Sequence, residues 1–309
     1  MPIRFTLRQL EYFVAVGETG SISHAAEKMN VSPPSVSTSI SQLEAEFGVQ
    51  LFIRKHAHGL SLTNGGRRFL AEAKDFLESA EGLRNLASDI SETISGPLGI
   101  GCFKTFAPII LPELRQQFQQ EYPDVQIRQV EGDQAKLLEG IQNAELDVCL
   151  SYDLGIPGDV EFVALAALPP YVMLAASHPL AGQAGISPEE LQKEKMVLLD
   201  LPLSTDYFLS AYREAGLRPT IAERTEDLAL VRSMVANGFG YSLANIRSRT
   251  NLSPDGKPLK FVPLIGGPRP LRLGIVTGRE ARKRRIVRAF DDHCRTFIRQ
   301  DQIPGLIMP

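Results

Sequence analysis

The sequence predicts an α/β chain in three successive parts: a small helical bundle closed by a hairpin, a long amphipathic helix, and a larger domain of alternating strands and helices. Three observations predict it. Residues 6–47 carry three short apolar patterns at helical spacing, punctuated by Gly20 and Asn30. From Phe69 to Ile94, apolar residues alternate spacings of four and three without a break. Beyond Gly96-Pro97, strand-like and helix-like patterns alternate. A length of 309 residues suits two or three domains, and 43% hydrophobic residues suffice for their cores.

The first helix spans 6–18, with Leu7, Leu10, Phe13 and Val14 on one side, and Gly20 ends it. Ser21 is placed to cap a second helix whose inner face holds Ile22, Ala25, Ala26 and Met29. Asn30-Val31 makes a turn. Ser32 caps a third helix with Pro33 at its first position, where a missing N–H costs nothing. Along it Val36, Ile40, Leu43 and Phe47 share one narrow sector, while Pro34, Ser35, Thr38, Ser41 and Gln42 occupy the opposite one. The small Ala25-Ala26 pair lets the second helix approach the third closely. Three short helices with a tight turn before the third are the helix-turn-helix plan, in which the third helix enters the major groove. After Gly48, Leu51-Phe52-Ile53 and Leu60-Ser61-Leu62-Thr63 flank the basic turn His56-Ala57-His58-Gly59. That is a wing, with a tip able to lie along phosphates or the minor groove.

Thr63-Asn64-Gly65-Gly66 opens a long helix, expected over about 66–94. Its seam is Phe69, Ala73, Phe76, Ala80, Leu83, Ala87, Ile90 and Ile94. Such a seam packs helix against helix, most simply between two copies of the chain. The other reading is a helix lying on its own domain; the seam alanines Ala73, Ala80 and Ala87 allow close approach and favour the dimer. Farther on, strands are expected at 98–103, 125–130, 146–151, 160–165, 171–175, 196–199, 220–223, 240–243, 260–264 and 271–276. Helices are expected at 108–121, 133–144, 205–215, 227–237 and 280–299. This alternation implies parallel, helix-covered sheets that bind ligands at the carboxyl ends of their strands.

The formal net charge of −3 is unevenly spread. Residues 54–68 hold Arg54, Lys55, His56, His58, Arg67 and Arg68 with no acid, whereas most acids lie in 69–278. A basic strip on an acidic chain is the footprint of one localised polyanion site. A second cluster from Arg279 to Arg288 is interleaved with Glu280 and followed by Asp291 and Asp292, and reads as a solvated helix face. No apolar run approaches the roughly 18 residues that span a bilayer, and the N-terminus lacks a secretory pattern. No membrane partner is expected, and the cytoplasm is the expected compartment. The three cysteines, Cys102, Cys149 and Cys294, form no close-spaced pair, so neither a metal site nor a disulfide framework is expected.

Enzymatic readings fail on context. Gly240-Tyr241-Ser242-Leu243-Ala244 lacks the last glycine of a nucleophile elbow and places Ser242 within a strand. Gly99-Ile100-Gly101 lacks the third glycine of a dinucleotide loop. The five histidines show no convincing metal-ligand spacing. No cofactor and no catalytic residue is expected.

The run Ala25-Ala26-Glu27-Lys28-Met29-Asn30-Val31-Ser32-Pro33-Pro34-Ser35-Val36-Ser37, with Ile40, Leu43-Glu44, Phe47-Gly48 and Leu51-Phe52-Ile53-Arg54, resembles the LysR-type transcriptional regulators. The likeness continues through Leu62-Thr63, Leu111-Pro112, Tyr122-Pro123, Leu146-Asp147, His178-Pro179-Leu180 and Gly238-Phe239-Gly240-Tyr241-Ser242-Leu243. The resemblance implies a bacterial regulator with a winged helix-turn-helix over 1–62 and a dimerising linker helix over 63–95. It also implies a periplasmic-binding-protein-like effector domain over 96–309. That domain would have two Rossmann-like subdomains, about 96–164 with 269–300 and about 165–268, joined by two crossing strands. The family implies double-stranded promoter DNA, a small effector and self-assembly as a dimer of dimers, a homotetramer, and leaves room for RNA polymerase as a further partner.

On this resemblance, DNA contacts fall to Pro33, Pro34, Ser35, Ser37, Thr38 and Gln42, with Arg54 and Lys55 on phosphates. The chain departs from the family in having Thr38 and Ser41 where Arg or Lys is frequent, so a bidentate arginine–guanine contact is unavailable there. Where the family has an arginine-rich wing, this chain has His56-Ala57-His58, which predicts affinity rising as pH falls toward about 6. The effector cleft implied by the family draws on Lys104, Thr105 and Phe106, on Asp133 and Gln134, and on Leu203, Ser204 and Thr205. A threonine hydroxyl beside a helix start suits a carboxylate, although Thr105, Ser204 and Thr205 serve equally as helix caps, and Lys104 equally as a solvated side chain. Two other readings, a solute-binding protein and a ligand-independent architectural DNA binder, are opposed by residues 1–62 and by the second domain respectively.

Overall fold

A computed structural model describes residues 4–55, 59–90 and 93–298. The chain divides into two compact units, Met1–Glu92 and Thr93–Pro309.

In the first unit, α2 (Ile22–Lys28) and α3 (Pro33–Phe47) begin after the expected caps Ser21 and Ser32, and α1 (Leu7–Thr19) ends at Gly20 as expected but starts one residue later, with Thr6 as its cap. Thr6 and Gln9 form a reciprocal cap: the Thr6 hydroxyl accepts from the Gln9 N–H at 3.2 Å, and the Gln9 side chain accepts from the Thr6 N–H at 2.8 Å. Gly20 and Gly48 close α1 and α3 in the left-handed conformation, φ +64° and +66°. Phe13, Ala25, Val36, Leu43 and Leu51 are fully buried between the helices and the wing root. Each large side chain so buried contributes about 1.5–3 kcal/mol. Glu44 ties α3 to the wing, since one carboxylate oxygen accepts the Leu51 and Phe52 N–H groups at 2.7 and 3.1 Å. The antiparallel wing strands, β1 (Phe52–Lys55) and β2 (Gly59–Leu62), pair Phe52 with Leu62.

The long helix is α4 (Asn64–Ile90), and Gly66 in its first turn lies against the Leu51 carbonyl, where a Cβ would overlap backbone. Its seam does two jobs. Phe69 packs edge-on against Phe13 and Phe47 at centroid distances of 5.2 and 4.8 Å, and Ala73 is buried in the same core. Farther along, Phe76 and Leu83 are exposed, with Leu83 at 68%.

The second unit holds a five-stranded sheet in the order β4-β3-β5-β12-β6. Its strands are β3 (Gly96–Phe103), β4 (Val125–Gly132), β5 (Val148–Tyr152), β6 (Val160–Leu168) and β12 (Leu271–Gly278), with helices α5 (Ala107–Glu121), α6 (Gln134–Gln142) and α10 (Arg285–Phe297). A second set comprises β7 (Tyr171–Ala175), β8 (Lys195–Leu199), β9 (Thr220–Thr225), β10 (Ser242–Ala244) and β11 (Leu259–Pro263). With it go α7 (Pro188–Leu191), α8 (Ser204–Glu214) and α9 (Leu228–Ala236). Tyr241 joins β8 to the strand β10 through hydrogen bonds to Val197 and Lys195, both 2.8 Å.

The sheets are mixed rather than wholly parallel. β3 runs parallel to β4 and β5, but β12 is antiparallel to both β5 and β6, and β7 is antiparallel to β10 and β11. The reason is connectivity. β6 carries the chain out of the first sheet through Pro169-Pro170, and β12 brings it back beside β6 in the opposite sense.

The helix expected over 280–299 is interrupted. Ala281–Lys283 forms a single 3-10 turn, Arg284 is extended, and α10 begins at Arg285. Arg284 pairs with Asp147 and donates to the Pro97 carbonyl at 3.0 Å, and Arg282 pairs with Glu161 at 2.6 Å. Carboxylates and carbonyls thus occupy these two arginines, which are not the solvated helix face expected from the sequence.

Candidate functional site

The strip of α3 opposite the core presents exposed Pro33, Pro34, Ser35, Thr38, Ser41 and Gln42, with Ser37 half-buried. Serine and threonine hydroxyls lie on a helix whose other side, Val36, Ile40 and Leu43, is locked into the bundle. Three of these residues also make local bonds. Ser35 shares a hydrogen bond with the capping Ser32 at 2.8 Å, Ser41 donates to the Ser37 carbonyl at 3.1 Å, and Gln42 accepts from Gln9 at 2.9 Å. The Gln9 contact orients the Gln42 amide from α1, a constraint with no signal in the α3 pattern. Arg54 and Lys55 fall in β1, in register with Leu60 and Gly59. The wing tip His56-Ala57-His58, and with it the expected pH response, lies outside the described residues. Of the long-helix seam, the side chains of Ala87 and Ile90 lie outside them too.

In the second unit, a cleft of about 580 Å³ opens between the two sets of strands, within the range of small-ligand sites. From the first set it takes Lys104, Thr105, Pro108 and Ile109; from the second, Thr225, Glu226, Asp227, Leu228, Ala229 and Arg232, then Ile246, Ser248 and Pro254. Lys104 reaches across to Glu226 at 3.3 Å. Asp227 caps α9, accepting from the Ala229 N–H at 2.7 Å. Arg232 is turned away from ligand duty: it donates to the Leu252 and Thr250 carbonyls at 2.5 and 3.2 Å and lies over the Phe261 ring. Burial lowers its pKa.

A narrow recess of about 20 Å³ is lined by Thr105, Leu228 and Ile246, which also line the cleft, together with Phe103, Tyr152, Ser204, Phe208 and Asn245. That is room for one water-sized group. Burial pushes the Tyr152 phenol up, partly offset by its hydrogen bond with Thr105, so the phenol stays neutral.

Of the eight residues expected in the effector cleft, Lys104 and Thr105 line the cleft and Ser204 lines the recess. The other five line neither. Phe106 is fully buried and packs on Phe103 and Tyr152 at 5.9 and 5.4 Å, so its ring is core. Asp133 caps α6 through the Lys136 N–H at 3.0 Å. Gln134 is wholly buried, donating to the Tyr152 and Leu154 carbonyls at 2.8 Å each and accepting from Ser151. Leu203 takes a left-handed conformation, φ +64°, at the entry to α8, and Thr205 bonds Asp200 at 3.0 Å. Glu226, Asp227, Asn245 and Ile246 were not anticipated. All four follow the carboxyl ends of β9 and β10, where the general rule for such sheets places ligands.

Two family models match the chain: the bacterial regulatory helix-turn-helix protein, lysR family, over residues 7–67, and the LysR substrate binding domain over 91–299. The HTH-type transcriptional regulator YvbU of Bacillus subtilis strain 168 is 30% identical over 254 residues, covering 82% of this chain and 84% of YvbU. OxyR of Escherichia coli K12, a DNA-binding transcriptional dual regulator, is 30% identical over 240 residues, covering 77% and 78%. The crystal structure of HinK, a LysR family transcriptional regulator from Pseudomonas aeruginosa, superposes with a TM-score of 0.62 at 37% identity over 94% of this chain and 98% of HinK. With both the helix-turn-helix and the substrate-binding models matched in order, and relatives that are regulators rather than enzymes, the chain belongs to the LysR family of transcriptional regulators.

Proposed function

We propose that this regulator reads promoter DNA with the hydroxyl-bearing strip of α3, centred on Ser35, Ser37 and Thr38, and that Pro33, Pro34 and Gln42 shape the same surface. The observation that carries this reading is the division of α3 into a buried Val36, Ile40 and Leu43 side and an exposed polar side. Hydroxyl and methyl contacts of this kind read base edges, and Arg54 and Lys55 of β1 supply phosphate contacts that set the register. The active species is a dimer, assembled further into a tetramer, in the cytoplasm. The exposed positions Phe76 and Leu83, continued by Ala80, Ala87 and Ile90, form the dimer seam, while Phe69 and Ala73 hold α4 to its own domain.

The effector occupies the cleft between the two strand sets, where Lys104 and Thr105 face Glu226 to Ala229. The charge balance of this cleft supports an uncharged ligand over a carboxylate. Lys104 is paired with Glu226, Arg232 is bonded to backbone carbonyls, and Asp227 adds a negative charge. The experiment is footprinting of the region upstream of the protein's own coding sequence. A protected site that outcompetes random duplex at moderate salt is the expected result; equal affinity for both removes the reading.

A further inference from the structure

Two residues that line the recess each carry a buried polar atom that makes no hydrogen bond among the described residues. The hydroxyl of Ser204 and the carbonyl oxygen of Asn245 both belong to side chains that are 4% exposed, and both residues line the recess beneath Thr105. Buried polar atoms are almost always satisfied, and an orphan costs about 1–3 kcal/mol. A partner entering through the cleft would remove that cost. The recess has no charged lining residue, so its polar demand is for a neutral group. Asn245 specifies the direction. Its N–H₂ is already committed, donating to the Leu168 carbonyl at 2.7 Å and to the Tyr207 hydroxyl at 3.1 Å. Only the carbonyl oxygen remains, and it accepts.

Asn245 is linked to both chain crossings between the strand sets, directly to one and through Tyr207 to the other. Leu168 ends β6, the outgoing crossing, and the Tyr207 hydroxyl of α8 donates to the Arg269 carbonyl, on the returning one, at 2.8 Å. Arg269 in turn donates to Asp153 at 2.7 Å. One side chain therefore has an open acceptor at the base of the cleft, a direct bond to one connecting segment and a link through Tyr207 to the other.

We propose that the effector is an uncharged molecule with an apolar body and a terminal hydroxyl or N–H, which inserts into the recess and donates to Asn245 while bonding Ser204, so that occupancy is felt at the two crossing segments. This inference rests on the cleft being the effector site. The apolar body meets Pro108, Ile109, Leu228, Ala229 and Ile246, and the donor is the class-defining group.

The test uses full-length protein and a panel of alkyl and aryl probes, each supplied as primary alcohol, methyl ether and carboxylate. Dissociation constants come from NMR titration. The alcohols are expected to bind about five- to tenfold tighter than their ethers, which keep the acceptor and lose the donor, and tighter than their carboxylates. Filling the recess with Ser204→Val should erase the alcohol–ether difference, with folding checked by circular dichroism. The wild-type comparison stands even if that variant does not fold. Carboxylates binding best would overturn the assigned class and leave the effector site standing. Alcohols and ethers binding equally would remove the recess from recognition. Failure of every probe type to bind would count against the cleft as the effector site, and the inference would fall with it.

Discussion

Asp153 accepts hydrogen bonds from the Arg272 guanidinium at 2.7 Å and from the Arg272 backbone N–H at 2.9 Å, so one buried carboxylate clasps the start of the returning crossing strand. Arg269 adds a further bond at 2.7 Å. Burial raises this carboxyl, but the bonds from Arg272 and Arg269 outweigh it and hold the pKa below the ordinary aspartate value. A group depressed on folding contributes stability above its unfolded pKa, about 3.9, and loses it as pH falls through the folded value. Asp153→Asn should therefore cost about 1.5–3 kcal/mol at neutral pH and flatten the melting-temperature profile below about pH 4. Parallel profiles for variant and wild type would contradict this assignment.

On α3, Thr38→Ala should weaken binding to the footprinted promoter site about five- to a hundredfold. Affinity for random duplex should hardly change, because phosphate contacts dominate there. Stability should stay within about 0.5 kcal/mol, since the side chain is exposed. Fluorescence anisotropy against both duplexes measures the split; equal losses would assign Thr38 to the backbone.

Two glycines of α4 should respond in opposite directions. Gly66→Ala drives a Cβ into the Leu51 carbonyl and should destabilise the first unit by about 1–3 kcal/mol or more. Gly82 has nothing within 4 Å of its would-be Cβ, and Gly82→Ala should stabilise by about 0.5–1 kcal/mol through helix propensity. Chemical denaturation of the two variants gives both signs at once.

Along the same helix, Leu83→Glu should raise the dimer dissociation constant about tenfold or more without lowering monomer stability, because Leu83 is exposed in the monomer. Phe69→Ala should do the reverse, costing about 2–4 kcal/mol of stability through its lost contacts with Phe13 and Phe47. Sedimentation paired with thermal melts separates the roles. A Leu83→Glu protein that remains dimeric at low concentration would move the interface elsewhere.

All three cysteines are buried, and burial pushes the Cys102, Cys149 and Cys294 thiols up. Reactive sensor cysteines have the opposite features, low pKa and access to solvent. Native protein should react with Ellman's reagent only on the timescale of unfolding, and peroxide should leave promoter binding unchanged. Rapid labelling of one thiol in folded protein would refute this.

Local chemistry made much of this protein legible in its amino-acid order. Caps at Ser21 and Ser32, the terminating glycines at 20 and 48, and the periodicity of Val36, Ile40 and Leu43 act within one or two turns, so the chain itself reports them. Lys104 and Thr105 came from the family resemblance, which places the cleft at the turn after the first strand of the second domain. What the order of residues left open was every choice between two partners of equal chemistry. Phe69 and Leu83 share one seam, yet one turns into the bundle and the other to solvent, because only the beginning of α4 has Phe13 and Phe47 beside it. Gln134 and Phe106 sit at helix starts of the kind that bind ligands, but the packing of Tyr152 and its neighbours claims them. Asn245 shows this most plainly. Its hydrogen bonds reach residues 77 and 38 positions away, and pairings at that range are set by how distant strands and helices pack, which no local pattern encodes.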